Sequence, residues 1–409
     1  MNKQHCIILG GGHAAAQLAP SLRQQGWDGD ITLVSDEGVL PYQRPPLSKG
    51  YLLGTQTLEQ ILIKGPKVYE KAAIQLKLSV RCTQIDRQKK QLYLDNGEVL
   101  NYDKLALTLG SRVRQLDIAG AELTGVFYLK TLEDLDRIKS HANRPSTRRA
   151  VIIGGGYIGL ETAAVLRKLG MEVTVLEAMS RILQRVTTPD VSAFYHRIHT
   201  EEGVTICCDK TVSTLAGTQQ ITAVHCTSGD VYPADLVIIG IGVIPNTELA
   251  EAAGLSVNNG ILINDFAVTS DPDIVAAGDC ASFVSQRYGR SIRLESVPNA
   301  MAQATSAAAS ICDIDKQFQA LPWFWSDQYD LKLQIAGLSQ GHDQVVIRGD
   351  LARGRELTVF YLKEGRILSL DCVNRPKDFM IGKKLIESAQ QLDTTLLSDE
   401  AIDLGTLLK

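Results

Sequence analysis

Apolar residues recur along the chain in short runs, and several of these runs are followed by a segment with helical periodicity. The first set predicts a strand at residues 6–9, a helix at 13–25 and a strand at 31–35. The second set predicts a strand at residues 150–153, a helix at 158–169 and a strand at 172–176. Strands that alternate with helices in this way predict two βαβ units built on parallel sheets.

The rest of the chain is predicted to contain antiparallel strands and further helices. Residues 81–110 read as antiparallel strands, with Asn96 and Gly97 marking a hairpin turn. Further strands are predicted at 236–241 and 274–277, and helices at 132–141 and 299–311. The tail predicts strands at 331–338, 345–348, 357–361 and 366–371, then a helix at 377–390. The tail is therefore expected to form an α+β domain.

Each βα junction carries a glycine-rich turn of the same type. The three small positions are Gly10, Gly12 and Ala15 in the first turn and Gly154, Gly156 and Gly159 in the second. The first position permits the tight turn, the second lets the backbone approach a pyrophosphate, and the third allows close helix packing. The N–H groups that begin each following helix face the phosphates. The chain is therefore expected to bind two dinucleotides.

Acidic residues follow the second strand of each βαβ unit. A carboxylate at this position accepts hydrogen bonds from the adenosine ribose. The residues alone do not decide between Asp36 and Glu37 in the first unit. In the second unit Glu177 would bind the 2′-hydroxyl of NAD and repel the 2′-phosphate of NADP, which predicts a preference for NADH. Arg181 and Arg185 lie nearby in the sequence and could weaken that exclusion.

Composition and charge narrow the class of protein. The 409 residues are enough for two or three domains, and 44% hydrophobic with 22% charged residues is typical of a globular chain. Forty-two basic against 46 acidic residues argue against a general nucleic-acid binder. The longest apolar run, near residues 236–245, is too short to span a membrane, and the early first strand leaves no room for a signal peptide. We expect a cytoplasmic protein.

The cysteines and histidines predict no metal site. The eight cysteines form no CxxC pair, and Cys207 and Cys208 are adjacent, so reduced structural thiols are expected. His196 and His199 have HxxH spacing in a predicted helix, but no carboxylate or cysteine cluster accompanies them. They are expected on a solvated helix face.

Five segments resemble the flavoprotein reductases of the glutathione-reductase structural class, and within it the NADH-dependent ferredoxin reductases of oxygenase systems. They are residues 44–49 (RPPLSK), 154–161 (GGGYIGLE), 278–281 (GDCA), 295–299 (ESVPN) and 323–328 (WFWSDQ). The likeness covers nearly the whole chain. It implies an α/β fold with two Rossmann-type dinucleotide-binding domains plus a C-terminal α+β domain. The implied domains are FAD-binding at 1–112 and 245–318, NAD-binding at 113–244, and C-terminal at 319–409.

The resemblance also implies which residues bind each cofactor. The implied FAD residues are Gly10, Gly12, His13, Ala14, Ala15, Asp36, Arg44, Lys49, Cys82, Lys130, Asp279 and Val297, with Cys82 and Val297 acting through the main chain. The implied NADH residues are Gly154, Gly156, Tyr157, Ile158, Gly159, Glu161, Glu177 and Gly242. Lys130 stands where relatives often carry an arginine facing the FAD pyrophosphate, so its contact would be a point charge.

The route of the electrons is implied by a missing cysteine pair. Disulfide reductases of this class carry that pair soon after the first βαβ unit, whereas residues 42–49 contain no cysteine. Electrons are therefore expected to leave the flavin directly. The resemblance implies that they go, one at a time, to a [2Fe-2S] ferredoxin that supplies a haem-thiolate monooxygenase. Lys49 would stabilise the reduced flavin and pair with Glu161, which borders the nicotinamide. Trp325 would line the electron exit, or would simply pack in a domain core with its aromatic neighbours.

Other interpretations stay open at this point. The acceptor could be the ferredoxin of a Rieske dioxygenase, or a rubredoxin. A protein like apoptosis-inducing factor, which keeps the flavin fold but works through partner contacts, is the alternative of another class. Candidate cations for docking an acidic ferredoxin are Lys64, Arg287, Arg290, Arg293 and Lys332. A monomer or a weak homodimer is expected.

Overall fold

The computed structural model describes residues 3–408, which fold into two compact units. The first unit contains the chain up to Arg44, Thr57–Arg112 and Val243–Pro322. The second contains Pro45–Gln56, Val113–Gly242 and the chain from Trp323 onward. The short segment Pro45–Gln56 thus belongs to the second unit, although the residues on both sides of it belong to the first.

A five-stranded parallel sheet forms the centre of the first unit. Its spatial order is Ile274–Ala276, Lys104–Leu107, His5–Leu9, Asp30–Val34 and Ile74–Lys77. The predicted first βαβ unit is confirmed, with its helix at His13–Gln24. That helix packs against Val297–Ile311, and alanines on both, such as Ala15 and Ala304, are fully buried. Small side chains let the two helices approach closely, which forms a continuous core with the sheet.

Smaller elements complete the first unit. One antiparallel sheet contains Cys82–Asp86, Gln91–Leu94 and Val99–Asn101, and another sheet contains Ile261–Leu262, Ala281–Ser285 and Arg290–Arg293. The short helices are Leu58–Ile61, Pro66–Lys71 and Glu248–Ala252. The predicted hairpin is confirmed, because Gly97 has a φ of 84° between two paired strands. The strands Ser111–Val113 and Val243–Pro245 occur where the chain passes from one unit to the other.

The second unit also contains a five-stranded parallel sheet. Its spatial order is Val204–Cys207, Glu172–Leu176, Arg149–Ile153, Leu236–Ile239 and Val126–Tyr128. The longer helices that accompany it are Leu132–Ala142, Tyr157–Lys168 and Pro189–Glu201. An antiparallel sheet contains Val212–Gly217, Ile221–Cys226 and Val231–Pro233, while Pro45–Ser48 and Gly50–Leu53 form short helical turns. The second predicted βαβ unit is confirmed.

The tail of the chain forms an antiparallel sheet of five strands. Its spatial order is Trp323–Gln328, Leu331–Gly337, Arg366–Val373, Leu357–Lys363 and Gln344–Gly349. The helices Pro376–Ser388 and Thr394–Ser398 and the 3-10 turn Leu404–Leu407 follow. The sequence predicted the last four strands of the chain but missed Trp323–Gln328, because its inward positions include the polar residues Ser326 and Gln328. No helix within residues 3–408 has the length and apolar character needed to cross a membrane.

A buried carboxyl lies in this sheet, at Asp371. Tyr361 donates a hydrogen bond to it at 2.5 Å and Thr187 donates another at 2.9 Å. Burial raises the pKa of Asp371 to about 6. The unfolded chain releases this proton near pH 4 while the folded chain keeps it, so stability falls as the pH rises from 4 to 6 and stays lower above that range.

We therefore predict that the variant Asp371→Asn gains stability relative to the native protein as the pH rises. The asparagine keeps a hydrogen-bond acceptor but carries no charge. The excess of its free energy of unfolding over that of the native protein should be about 2 kcal/mol larger at pH 8 than at pH 4. Denaturant unfolding of both proteins across this range measures the difference. A difference that does not change with pH would contradict the prediction.

Candidate dinucleotide sites and a buried ion pair

The first glycine turn is shaped for close approach of a ligand. Gly10 has a φ of +121°, and a Cβ there would lie 2.2 Å from the carbonyl oxygen of Thr108, so only glycine fits. A Cβ on Gly12 would meet no atom within 4 Å. Gly12 also begins the helix His13–Gln24 without a side-chain cap. This open helix N-terminus fits a pyrophosphate, and Ala15 is buried where the helix packs on the sheet.

The two acids that follow the first unit's second strand have different partners. Asp36 is exposed and pairs with Arg81 at 3.1 Å. Glu37 is half-buried, accepts a hydrogen bond from Tyr42 at 2.6 Å and forms an ion pair with Arg44. Burial lowers the pKa of Arg44, but Tyr42 and Glu37 beside it raise that pKa above its usual value. Both acids lie just after the strand Asp30–Val34, at the end where a ribose would bind.

The fold brings Gly278 and Asp279 beside the first glycine turn. Gly278 has a φ of +86°, and a Cβ there would lie 3.4 Å from the Cβ of Ala14. Ser111 donates a hydrogen bond to the Asp279 carboxylate at 2.7 Å. The Gly278 N–H donates to the side chain of Gln303 at 2.9 Å, which fixes this turn. Residues far apart in sequence therefore place a carboxylate next to the open helix N-terminus.

Two further residues of the implied FAD site also belong to the first unit. Cys82 begins the strand Cys82–Asp86, and burial raises the pKa of its thiol to about 11. Val297 is the first residue of its helix, which Ser296 caps by accepting a hydrogen bond from the Asn299 N–H at 3.4 Å. At neutral pH Cys82 therefore stays a thiol and lacks the thiolate that redox relay chemistry needs.

The second glycine turn repeats the geometry of the first. Gly154 has a φ of +114°, and a Cβ there would lie 2.4 Å from the carbonyl oxygen of Gly240. A Cβ on Gly159 would lie 2.1 Å from the carbonyl oxygen of Gly154, whereas a Cβ on Gly156 would meet nothing within 4 Å. Gly156 begins the helix of Tyr157 and Ile158 without a side-chain cap. A second pyrophosphate fits here.

Glu177 is fastened to this second turn. One of its carboxylate oxygens accepts the Gly155 N–H at 2.7 Å and the other accepts the Met179 N–H at 2.8 Å. Arg181 donates to Ser192 and to the Gln184 carbonyl at 2.5 and 3.2 Å, so its guanidinium is engaged away from Glu177.

Gly242 contributes a second sharp turn to the same unit. It has a φ of +104°, and a Cβ there would lie 3.8 Å from the Arg185 guanidinium. Arg185 therefore lies beside Gly242 in the structure. The sequence placed Arg185 only near Glu177 along the chain.

A buried ion pair joins Lys49 to Glu161. The Lys49 Nζ lies 2.7 Å from Glu161 Oε2, and Ser48 donates to the same oxygen at 2.5 Å. Ser326 donates to Oε1 at 2.7 Å. Glu161 is only 3% exposed, and a buried carboxylate is tolerated only when it is paired and hydrogen-bonded. The sequence predicted that Lys49 pairs with Glu161 but did not predict that Ser48 and Ser326 bind the same carboxylate. The only sequence feature that could have pointed to them is their place in the RPPLSK and WFWSDQ segments.

Trp325 and Lys130, the other two predicted flavin-site residues of the second unit, do not belong to the ion pair. The ring of Trp325 packs on Trp323 with centroids 5.4 Å apart, while the intervening Phe324 packs on Tyr157 at 4.9 Å. Trp325 therefore lies on the strand face opposite Ser326. Lys130 precedes the helix Leu132–Ala142, and its N–H donates to Asp134 at 3.1 Å.

The prediction for the HxxH histidines was wrong for one of them. His196 is exposed, but His199 is fully buried, with its Nε2 2.8 Å from the side-chain oxygen of Gln328. Burial lowers the pKa of His199 to about 4, so the ring is neutral. His199 lies on the buried face of the helix Pro189–Glu201. The polar residues around it in the sequence do not reveal this burial.

Two open glycine turns on parallel sheets define a protein that binds two dinucleotides. Residues 4–304 match the family described as pyridine nucleotide-disulphide oxidoreductase, and residues 323–408 match the reductase C-terminal family. The chain belongs to the pyridine nucleotide-disulphide oxidoreductase family, and its cofactors are FAD and NAD(H). All eight of its cysteines are nevertheless free thiols.

Particular relatives narrow this class. The chain is 46% identical to putidaredoxin reductase of Pseudomonas putida, over 98% of this chain and 96% of the relative. It superposes on the reductase of the covalent putidaredoxin reductase–putidaredoxin complex with a TM-score of 0.95, at 45% identity over 99% and 98% of the two chains. The ferredoxin reductase for the CYP199A2 system of Rhodopseudomonas palustris matches with a TM-score of 0.95, at 40% identity over 99% and 100% of the chains.

Proposed function

We propose that the protein is an NADH-dependent ferredoxin reductase. It would take a hydride from NADH and deliver electrons one at a time to a [2Fe-2S] ferredoxin. The observation that carries this proposal is the segment around Lys49, which supplies a buried ion pair and no cysteine. A thiol relay has no residue there to begin from, and burial raises the pKa of Cys82 and Cys280 to about 11. The relatives named as ferredoxin and putidaredoxin reductases support the same acceptor class.

Each unit would hold one cofactor. The open turn at Gly12, with Asp279 beside it, would hold FAD, and the open turn at Gly156, with Glu177 beside it, would hold NADH. When bound, FAD accepts a hydride and releases single electrons, so it converts a two-electron donor to a one-electron acceptor. The tail from Trp323 onward would complete the reductase as an α+β domain, as its family match supports.

The role of the ion pair would be electrostatic. Hydride transfer needs no general acid or base, so the task of Lys49 is to present a fixed positive charge to the reduced flavin. Glu161 orients that ammonium, and the hydroxyls of Ser48 and Ser326 hold the carboxylate in turn. Trp325 would line the electron exit. A charge that is already oriented stabilises developing negative charge without reorganisation during the reaction.

The oxygenase that the ferredoxin supplies and the cellular location of the protein are finer points than the comparisons with relatives establish. We propose that the ferredoxin supplies a haem-thiolate monooxygenase, which the similarity to putidaredoxin reductase supports. A cytoplasmic location and a monomeric or weakly dimeric state stay predictions from the sequence.

Steady-state turnover with purified acceptors tests the proposed function. The protein should reduce a [2Fe-2S] ferredoxin of the putidaredoxin type with a higher kcat/KM than a Rieske-type ferredoxin or a rubredoxin. Slow reduction of every iron-sulfur acceptor by a protein with bound flavin would instead favour a binding role of the apoptosis-inducing-factor kind.

We predict that the variant Glu177→Gln loses discrimination against NADPH. The glutamine keeps one of the two oxygens that accept backbone N–H groups of the turn, and it removes the charge that repels a 2′-phosphate. The ratio of kcat/KM for NADH to that for NADPH should fall about tenfold, mainly through better use of NADPH. The exposed Glu172→Gln, in the strand that Glu177 follows, is the matched control and should keep the native ratio. A native protein that prefers NADPH would contradict the role of Glu177.

A further inference from the structure

A buried chain of hydrogen bonds runs from the ion pair into the C-terminal sheet. Ser326 donates to Glu161 Oε1 at 2.7 Å, and the Gln328 amide nitrogen donates to Ser326 at 3.1 Å. The Gln328 oxygen lies 2.8 Å from Nε2 of His199, whose Nδ1 lies 3.2 Å from the Tyr329 hydroxyl. Ser326, Gln328 and His199 are each at most 1% exposed. Water therefore does not compete for the bonds among these three residues.

The chemistry of the groups fixes the direction of every bond in this chain. The Glu161 carboxylate can only accept hydrogen bonds, so Ser326 donates its one hydroxyl hydrogen to it. Ser326 must therefore accept the hydrogen bond that it makes with the Gln328 amide. The Gln328 oxygen then faces His199 and requires a hydrogen on Nε2. A neutral imidazole carries one hydrogen, so Nδ1 accepts from Tyr329. The result is a one-way series of donors that ends on Glu161.

The two oxygens of Glu161 are held by different groups. Lys49 and Ser48 both contact Oε2, whereas Ser326 donates to Oε1. Loss of the Ser326 hydroxyl would free Oε1 to rotate toward Lys49, and the ammonium would lose its single orientation. The one-way chain prevents this rotation. Gln328 presents a donor to Ser326, so the Ser326 hydroxyl cannot donate to Gln328 and donates to Glu161 instead.

We propose that Ser326, Gln328 and His199 are positioning residues that orient the Glu161 carboxylate and, through it, the Lys49 ammonium for hydride transfer. The proposal rests on the proposed function of the ion pair. It gives the strand Trp323–Gln328 a task in the chemistry, in addition to any task in partner contact. Alternate residues of this strand supply the chain, because Ser326 and Gln328 share one face of it.

The first experiment follows flavin reduction by NADH in an anaerobic rapid-mixing instrument. Ser326→Ala should lower the limiting rate about tenfold at saturating NADH and change the dissociation constant for NADH less than about twofold. Ser326→Thr keeps the hydroxyl and should restore the rate to within about twofold of native. Ser369→Ala is the matched control, because this buried serine of the same sheet has no hydrogen-bond partner for its hydroxyl within residues 3–408.

A double-mutant cycle separates positioning from a general loss of structure. In a Glu161→Gln background, Ser326→Ala should slow flavin reduction no further, since its target is already altered. The same tenfold loss in both backgrounds would overturn the proposal. So would a Ser326→Ala protein with the native rate while Glu161→Gln is slow. A native rate in Glu161→Gln itself would overturn the role of the ion pair in the proposed function, and the positioning proposal with it.

A second readout does not depend on activity. Nitrogen-15 NMR of the histidine rings, assigned by a His199→Gln variant, should show His199 as the neutral tautomer with its hydrogen on Nε2. In Gln328→Glu the new carboxylate cannot donate to Ser326 and faces the imidazole, so His199 should become protonated at neutral pH and flavin reduction should slow as in Ser326→Ala. A native His199 with its hydrogen on Nδ1 would overturn the direction of the chain.

Discussion

Replacement of Lys49 by methionine is expected to slow the reduction of the flavin by NADH by about 100-fold. Methionine fills similar space but presents no charge to the reduced flavin, and an oriented charge in a water-poor site is among the largest single contributions to catalysis. The rate at saturating NADH measures this loss. The exposed lysine variant Lys67→Met should keep the native rate.

The same substitution also removes the partner of a buried carboxylate, so stability must be separated from chemistry. Lys49→Met leaves Glu161 with two hydroxyl donors and no cation, and breaking a buried ion pair costs about 3 kcal/mol. The double variant Lys49→Met, Glu161→Gln should recover the melting temperature but not the rate. Recovery of both would show that Lys49 serves only the fold.

Gly156→Asp is expected to abolish the use of NADH while the protein folds normally. Gly156 has an ordinary φ of −80°, begins a helix, and its Cβ would meet no atom within 4 Å. Aspartate is a preferred residue at a helix N-cap, so the fold loses nothing. Its carboxylate would lie where the pyrophosphate binds and would repel it, so kcat/KM for NADH should fall more than about 100-fold.

Matched variants show whether this loss comes from the site or from the fold. Chemical reduction of the flavin in Gly156→Asp should still support electron delivery to ferredoxin. Gly12→Asp, which has the same open geometry in the first turn, should instead yield a folded protein without FAD. Gly154→Ala should lower the melting temperature, because its Cβ would clash with the Gly240 carbonyl. Loss of FAD from Gly156→Asp would contradict the division of the two cofactors.

The periodicity of the sequence was enough to predict the βαβ unit at the centre of each parallel sheet. It missed the strands Ile74–Lys77, Val126–Tyr128 and Val204–Cys207, and the reading of residues 81–110 as antiparallel was wrong for Lys104–Leu107, which pairs in parallel with His5–Leu9. Strands buried on both faces are continuously apolar and the helices between them are amphipathic, so local pattern reports their type directly. The glycines at 10 and 154 were equally legible, since only glycine tolerates their backbone conformation. The third turn position differs between the units, because Ala15 fits in the first while a Cβ at Gly159 would clash.

The polar interior of the second unit could not be predicted in the same way. Ser326, Gln328 and His199 are polar residues in short motifs, and polarity alone indicates exposure. Their hydrogen bonds lead from one to the next and end on Glu161, which is far away in the sequence. The Pro45–Gln56 segment is a similar case, because Ser48 and Lys49 join the second unit through Glu161 while their neighbours in the sequence belong to the first. Such pairings are visible only once the chain is folded.

The most direct test of electron delivery is the stoichiometry of a single turnover. The protein with bound FAD, its accessible thiols first alkylated, is mixed anaerobically with one equivalent of NADH and an excess of oxidised [2Fe-2S] ferredoxin. Two ferredoxins should be reduced per NADH without a lag, because the electrons leave the flavin singly and no thiol takes part. Full reduction of the flavin by NADH with no transfer to the ferredoxin, or transfer that alkylation abolishes, would contradict the account.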